Sequence, residues 1–182
     1  MNAPREPVPL RAPLTLGPMP TRRAMITLDE GDSPADVEAI FRLVADVEAW
    51  PRHLAHYRWV TLTDRTRDGG GVVEMAANRP FGPLNWPTWW RSYMSVDRDA
   101  CSVRFRHIGG ITTGMDVEWR VLRVGSRTHV SLLHVWNGPP WPLIRTVAAV
   151  GVIGPVFVHG IASRTMAGLI AAAERGATPE PA

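Results

Sequence analysis

Six successive stretches between Arg58 and Asn137 alternate apolar with polar residues, at 59–63, 71–78, 86–96, 101–108, 114–124 and 128–136. A period of two marks strands that bury one face. The breaks between them include Asp68-Gly69-Gly70, Asp97-Arg98-Asp99, Gly109-Gly110 and Gly125-Ser126. These are too short to hold a crossover helix and are rich in residues that accept tight turns. Strands joined in this way run up and down beside one another, so the centre of the chain reads as an antiparallel meander.

Helical signals flank the meander. Residues 22–28 read as a first strand, followed by turn chemistry from Asp29 to Ser33. Ser33 as N-cap and Pro34 at the first position open a helix in which Val37, Ile40, Phe41 and Val44 form one apolar stripe. A break at 46–50 and Pro51 start a second short helix that ends near Tyr57. After Asn137-Gly138-Pro139-Pro140 the alternation stops. A long helix follows, with a kink or new start at Gly154-Pro155 and an end near Gly176. Val152, Val156, His159, Ser163, Met166 and Ile170 share one of its faces. This order predicts an α+β fold: a seven-stranded antiparallel sheet, two short helices, and a long C-terminal helix against the sheet. Residues 1–20, with six Pro, read as a disordered leader, 21–176 as a single domain and 177–182 as a disordered tail.

Composition narrows the functional classes. A chain of 182 residues with 45% hydrophobic content buries one real core, and eight Trp must line either that core or a cavity. The net charge of +3 comes from Arg alone, scattered along the chain without a basic stripe, so no nucleic-acid partner is implied. The apolar run 141–161 is interrupted by Arg145, Pro142, Pro155, Gly151, Gly154 and His159, which argues against stable membrane insertion. A single Cys101 allows no internal disulfide and suits a reducing cytoplasm. His53 and His56 have helical spacing but no third ligand near them in sequence, so they read as surface residues and no metal is expected. Gly69-Gly70-Gly71 reads as a hairpin turn, to which Asp68 lends turn chemistry.

The run Asp46-Val47-Glu48-Ala49-Trp50-Pro51, followed by His56 and Tyr57, resembles the start of the polyketide cyclase and dehydrase group within the START-like, helix-grip superfamily. Within that group the chain is most similar to the bacterial aromatase/cyclases. Trp90 and Ser92 on the fourth strand, and Met115 and Trp119 on the sixth, extend the likeness. The resemblance implies a helix-grip fold over 22–175, a curved seven-stranded sheet and long C-terminal helix around an apolar cavity, and a functional role for Tyr57. It also implies a carrier-tethered substrate, with an acyl carrier protein as partner. One position departs: the group has a cavity Arg two residues after the Ser, and here that residue is Met94.

Strand alternation sorts the candidate site residues, because positions i and i+2 share a face. Thr88, Trp90, Ser92, Met94 and Val96 form one face of the fourth strand, and Val103, Phe105 and His107 one face of the fifth. Met115, Val117, Trp119 and Val121 oppose Asp116, Glu118 and Arg120 on the sixth; Val130, Leu132, His134 and Trp136 share a face on the seventh. With Val156, His159 and Met166 from the helix, these faces enclose an interior into which few polar groups project. Tyr57, Ser92, His107, His134 and His159 are the candidate catalytic groups. Trp90, Met94, Phe105, Trp119, Trp136, Val156 and Met166 are the candidate substrate contacts. Imidazoles and hydroxyls suit the proton transfers of an aldol cyclisation and dehydration, which needs no cofactor. The same groups also fit a hydrophobic carrier for a lipid, isoprenoid or quinone, in a monomer or a homodimer. Each also has a bland reading as a hydrogen-bonded core residue.

Overall fold

The six strands of the expected meander each pair antiparallel with the next in sequence, and the first strand of the chain adds antiparallel to the last, leaving the first and second strands as the edges of an open sheet. The computed structural model describes residues 9–21, 25–81, 84–138 and 159–177. The elements are β1 (Met25–Ser33), α1 (Val37–Ala45), a 3-10 turn (Val47–Ala49) and α2 (Trp50–His53). Next come β2 (Tyr57–Thr63), β3 (Gly71–Phe81), β4 (Leu84–Asp97), β5 (Ser102–Gly110), β6 (Asp116–Val124) and β7 (Arg127–Trp136). The last described element is α3 (His159–Ala177). Sheet order is β1-β7-β6-β5-β4-β3-β2, one curved antiparallel layer with α3 packed on its inner face.

Three local boundaries differ from the sequence reading, each because tertiary pairing outweighs local propensity. Residues 29–33 form no turn; β1 runs through them in register with 128–132 of β7, burying Asp29 and Ser33 on the inner side. The N-cap of α1 is therefore Asp36, whose carboxylate accepts from the Glu38 N–H at 2.9 Å. Ser33 instead accepts from the Ala35 N–H at 3.1 Å and donates to Glu174 Oε1 at 2.8 Å, which ties the end of β1 to α3. The second helix is a single turn that stops at His53, and Tyr57 opens β2 just before a register shift at Trp59.

Packing follows the apolar stripes. Ile40, Phe41 and Val44 of α1 are fully buried, as expected from their spacing. The buried face of α3 is Ile161, Ala162, Thr165, Met166, Leu169 and Ala173. Of the expected stripe, Met166 is buried and Ser163 and Ile170 are half-buried at its edge, while Val152, Val156 and the side chain of His159 lie outside the described residues. Gly168 lets α3 approach the α2–β2 connection: a Cβ there would fall 2.3 Å from Leu54 Cδ2. Trp50 anchors the same corner, its indole N–H donating to Leu43 O at 2.9 Å.

The outer face carries the expected charges, yet Asp116 and Glu118 are buried there. Arg106 bonds Asp116 at 2.8 Å, and Arg104 and Arg120 flank Glu118 at 3.7 and 2.9 Å. Of the segment 1–20 expected to be a leader, residues 9–20 are described. The Arg11 N–H donates to Arg65 O at 2.9 Å, Leu16 is buried, and Gly17 O accepts from Arg104. Asp68 does more than shape its turn. Its carboxylate accepts from Thr66, from the Gly70 N–H at 3.3 Å and from the Val96 N–H at 2.9 Å, fastening the β2–β3 connection to β4.

Candidate functional site

Between the inner face of the sheet and the first turns of α3 lies a cavity of about 60 Å³. By the reckoning of ~10–15 Å³ per water, that is space for on the order of four to six water molecules. Its walls are aromatic because the inward positions of β4, β5 and β6 meet α2 there. Trp50 sits at the centre of the ring cluster, 5.3 Å from Tyr57, 6.4 Å from Phe105 and 6.1 Å from Trp119 between centroids. Trp90 meets Tyr57 edge-on at 6.0 Å and stacks on His107 at 6.2 Å. Edge-to-face packing of this kind is a favoured arrangement of aromatic rings.

Few polar groups reach this wall. Tyr57, His107, Thr112, His134 and Thr165 all line it. His107 Nδ1 lies 2.6 Å from Thr112 Oγ1, a contact made possible by the tight β5–β6 turn, where Gly110 (φ 87°) and Gly114 (φ 85°) reverse the chain. A Cβ at Gly110 would lie 2.4 Å from Trp89 O, so only glycine fits that position. Across the cavity, Thr165 Oγ1 lies 3.1 Å from His56 Nε2. Burial, and secondarily the Arg164 guanidinium, hold the His56 imidazole below its ordinary pKa of 6.5.

The sequence-derived candidates divide cleanly. Tyr57, His107, His134, Trp90, Phe105 and Trp119 come together on the cavity wall. Ser92 is fully buried opposite His107 in the β4–β5 register but does not line the cavity, and among the described residues its Oγ has no hydrogen-bond partner. Met94 and Trp136 are fully buried away from the cavity, the Trp136 indole donating to Thr113 O at 3.0 Å. Met166 packs toward Gly31 of β1. Val156 and the side chain of His159 lie outside the described residues.

Sequence alone does not single out Thr112, Thr165 or His56 as site residues. Thr112 sits in a turn, where alternation assigns no face, and Thr165 lies off the expected stripe of α3. His56 reads as a surface residue, yet it is half-buried behind Thr165. Asp29, which reads as a turn residue, is a buried carboxylate on the inner face, opposite Leu132 and two positions from the pair Thr27 and His134. Among the described residues no guanidinium lines the cavity, no cluster of three metal-ligating side chains occurs, and no helix is long and apolar enough to cross a membrane.

A curved seven-stranded sheet gripping a C-terminal helix over an interior cavity defines the helix-grip, START-like class of folds. Solved structures of that class superpose on this chain. The ZhuI aromatase/cyclase from Streptomyces sp. R1128 matches with a TM-score of 0.72 at 15% identity, covering 85% of this chain and 96% of its own. The TTHA0849 protein of Thermus thermophilus matches at 0.70 and 16%, covering 85% and 100%. A START superfamily protein from Mycobacterium smegmatis matches at 0.62 and 13%, covering 82% and 97%. No curated protein sequence matches significantly. The sequence profile of the family described as polyketide cyclase/dehydrase and lipid transport matches residues 33–152, about two thirds of the chain. The protein belongs to that family.

Proposed function

We propose that this protein takes a hydrophobic, carrier-tethered poly-β-keto substrate into its cavity and promotes aldol cyclisation and dehydration there. One observation carries the reading: an aromatic wall interrupted at Tyr57, at His134 and at the His107–Thr112 pair, where imidazole and hydroxyl groups face one small space. A plain apolar container gains nothing from desolvating those groups.

The chemistry starts at a CH2 between two carbonyls. His107 takes that proton as general base, and Thr112, within hydrogen-bond reach of Nδ1, orients the ring. The enolate carbon attacks a distant carbonyl of the same chain, and the new alkoxide collects a proton from a hydroxyl donor, for which Tyr57 is placed. Loss of water then needs an acid at the departing hydroxyl, a role open to His134. Holding one folded conformation of a flexible chain supplies further rate, on the order of several kcal/mol. An acyl carrier protein delivers the chain, in the cytoplasm, to a monomer or homodimer.

The test incubates the protein with a carrier-tethered poly-β-ketone and compares product ratios with Tyr57→Phe, His107→Gln and His159→Ala. The expected result is a wild-type excess of cyclised, dehydrated product that falls in the Tyr57 and His107 variants. Ratios equal to those without protein would overturn the reading. Met94 favours a second one: where the aromatase/cyclases have a cavity Arg, this chain has a fully buried thioether. A non-catalytic carrier of a lipid, isoprenoid or quinone needs no such cation. Mass spectrometry of the native protein should then find that ligand bound.

A further inference from the structure

We propose that Thr165 is the hydroxyl that grips a ligand oxygen in this cavity, and that His56 is the positioning residue that aims it. The inference rests on the reading above only in placing a carbonyl-bearing ligand in this cavity, which a β-ketone and a quinone share.

The geometry is that of a polarised donor. Thr165 is 2% exposed, and it reaches the cavity from the buried face of α3 between Ile161, Ala162 and Leu169. Its oxygen lies 3.1 Å from His56 Nε2, and His56 itself does not line the cavity. A hydroxyl has one hydrogen to give and two lone pairs to receive with. In the tautomer with hydrogen on Nε2, His56 donates to Thr165 Oγ1, and the hydroxyl hydrogen is turned toward another acceptor. A ligand carbonyl in the cavity completes the chain N–H to O–H to O=C, in which each bond strengthens the next. Because burial depresses the His56 pKa, the imidazole carries a single ring hydrogen near neutral pH and commits it to one of its two nitrogens.

Both ends of this hydrogen bond are anchored by backbone. His56 O accepts the Asn78 N–H at 2.8 Å, and the Tyr57 N–H returns to Leu54 O at 2.9 Å, closing the loop that carries the imidazole. The His56 ring also rests on Tyr57, 4.9 Å between centroids. On the other side α3 is held one turn beyond Thr165, where Gly168 meets Leu54. A donor fixed at both ends meets a ligand oxygen with little reorganisation. The His107–Thr112 pair differs in kind, because there the imidazole itself lines the cavity.

The test uses acetophenone, one ring and one carbonyl, labelled with 13C at the carbonyl. Binding is followed by quenching of tryptophan fluorescence, since Trp50, Trp90 and Trp119 line the cavity. Difference infrared spectra follow the carbonyl stretch. The expected wild-type band lies below that of the ketone in hexane. Thr165→Ser keeps the shift, whereas Thr165→Val returns the band to its apolar position and weakens binding on the order of threefold to tenfold. His56→Phe loses part of the shift, and His56→Gln, which can present an N–H at similar reach, restores it. An unmoved band in Thr165→Val overturns the assignment of the donor, and an unmoved band in His56→Phe overturns the positioning role. Absence of acetophenone binding overturns the inference as a whole. A protein that shows the shifted band but forms no cyclised product keeps the inference and loses the enzymatic reading.

Discussion

Replacing Ser92 by Ala should make the protein more stable. The Ser92 side chain is fully buried between its register partners Val73 on β3 and His107 on β5, and among the described residues its Oγ has no hydrogen-bond partner. Burying a hydroxyl without a partner costs about 1–3 kcal/mol on the scale of protein mutations. The void left by one oxygen offsets only about 0.2 kcal/mol of that at ~24 cal/mol per Å³. The net gain is therefore about 1–3 kcal/mol, worth a rise of roughly 2–12 °C in Tm for a domain of this size. Urea unfolding followed by circular dichroism should show a higher midpoint at an unchanged slope, the mark of a true stability change. A Ser92→Ala protein that is less stable by about 0.5 kcal/mol would refute the reasoning, because it would mean the hydroxyl is satisfied. The same variant bears on catalysis: product ratios like those of wild type would remove Ser92 from the candidate acid–base groups.

Three further outcomes follow from the packing. Burial pushes the Asp68 carboxyl up, but the hydrogen bonds from Thr66, Val96 and Gly70 outweigh it and leave the group below its ordinary 3.8. Its contribution is thus complete above that pH and is lost as pH falls through the lower folded value; Asp68→Ala should cost about 1–3 kcal/mol at pH 7 and flatten the acid limb of a stability–pH curve. His56 is depressed from 6.5 by burial and then by Arg164, so its contribution is present above that pH and is lost as pH falls through the folded value; His56→Gln should remove this slope from midpoints measured between pH 7 and 5. Gly70→Ala would set a Cβ 2.3 Å from the backbone oxygen of Met94, so a loss of more than about 2 kcal/mol, or failure to fold, is expected in thermal melts.

Strand faces are legible in the sequence because alternation is a local property. Trp90, Ser92, Met94 and Val96 point inward together, as do Met115, Val117, Trp119 and Val121, and all eight are buried. What alternation cannot supply is the partner of each face. Asp29 to Ser33 look like a turn until β7 is laid beside them, and Ser33 looks like a cap until Glu174 arrives from 141 residues away. The site is half legible for the same reason. Its strand residues Trp90, Phe105, His107, Trp119 and His134 follow from the period of two. Thr112 lies in a turn with no period at all, and the threonine of the His56–Thr165 pair comes from a helix whose buried stripe is set by Leu54 and Gly168 rather than by its own pattern.

The fastening of α3 changes along its length. Its distal half is pinned three times, by Gly168 against Leu54, by Ile170 against Gly31 and by Glu174 to Ser33. The half that lines the hollow, from Ile161 to Thr165, is joined to the loop before β2 by the contact between Thr165 and His56, which stands behind the wall. Changes at Gly168, Ile170 or Glu174 therefore act on the anchorage of α3, whereas a guest in the hollow meets the helix at Ile161, Ala162 and Thr165 and so disturbs the partner of His56.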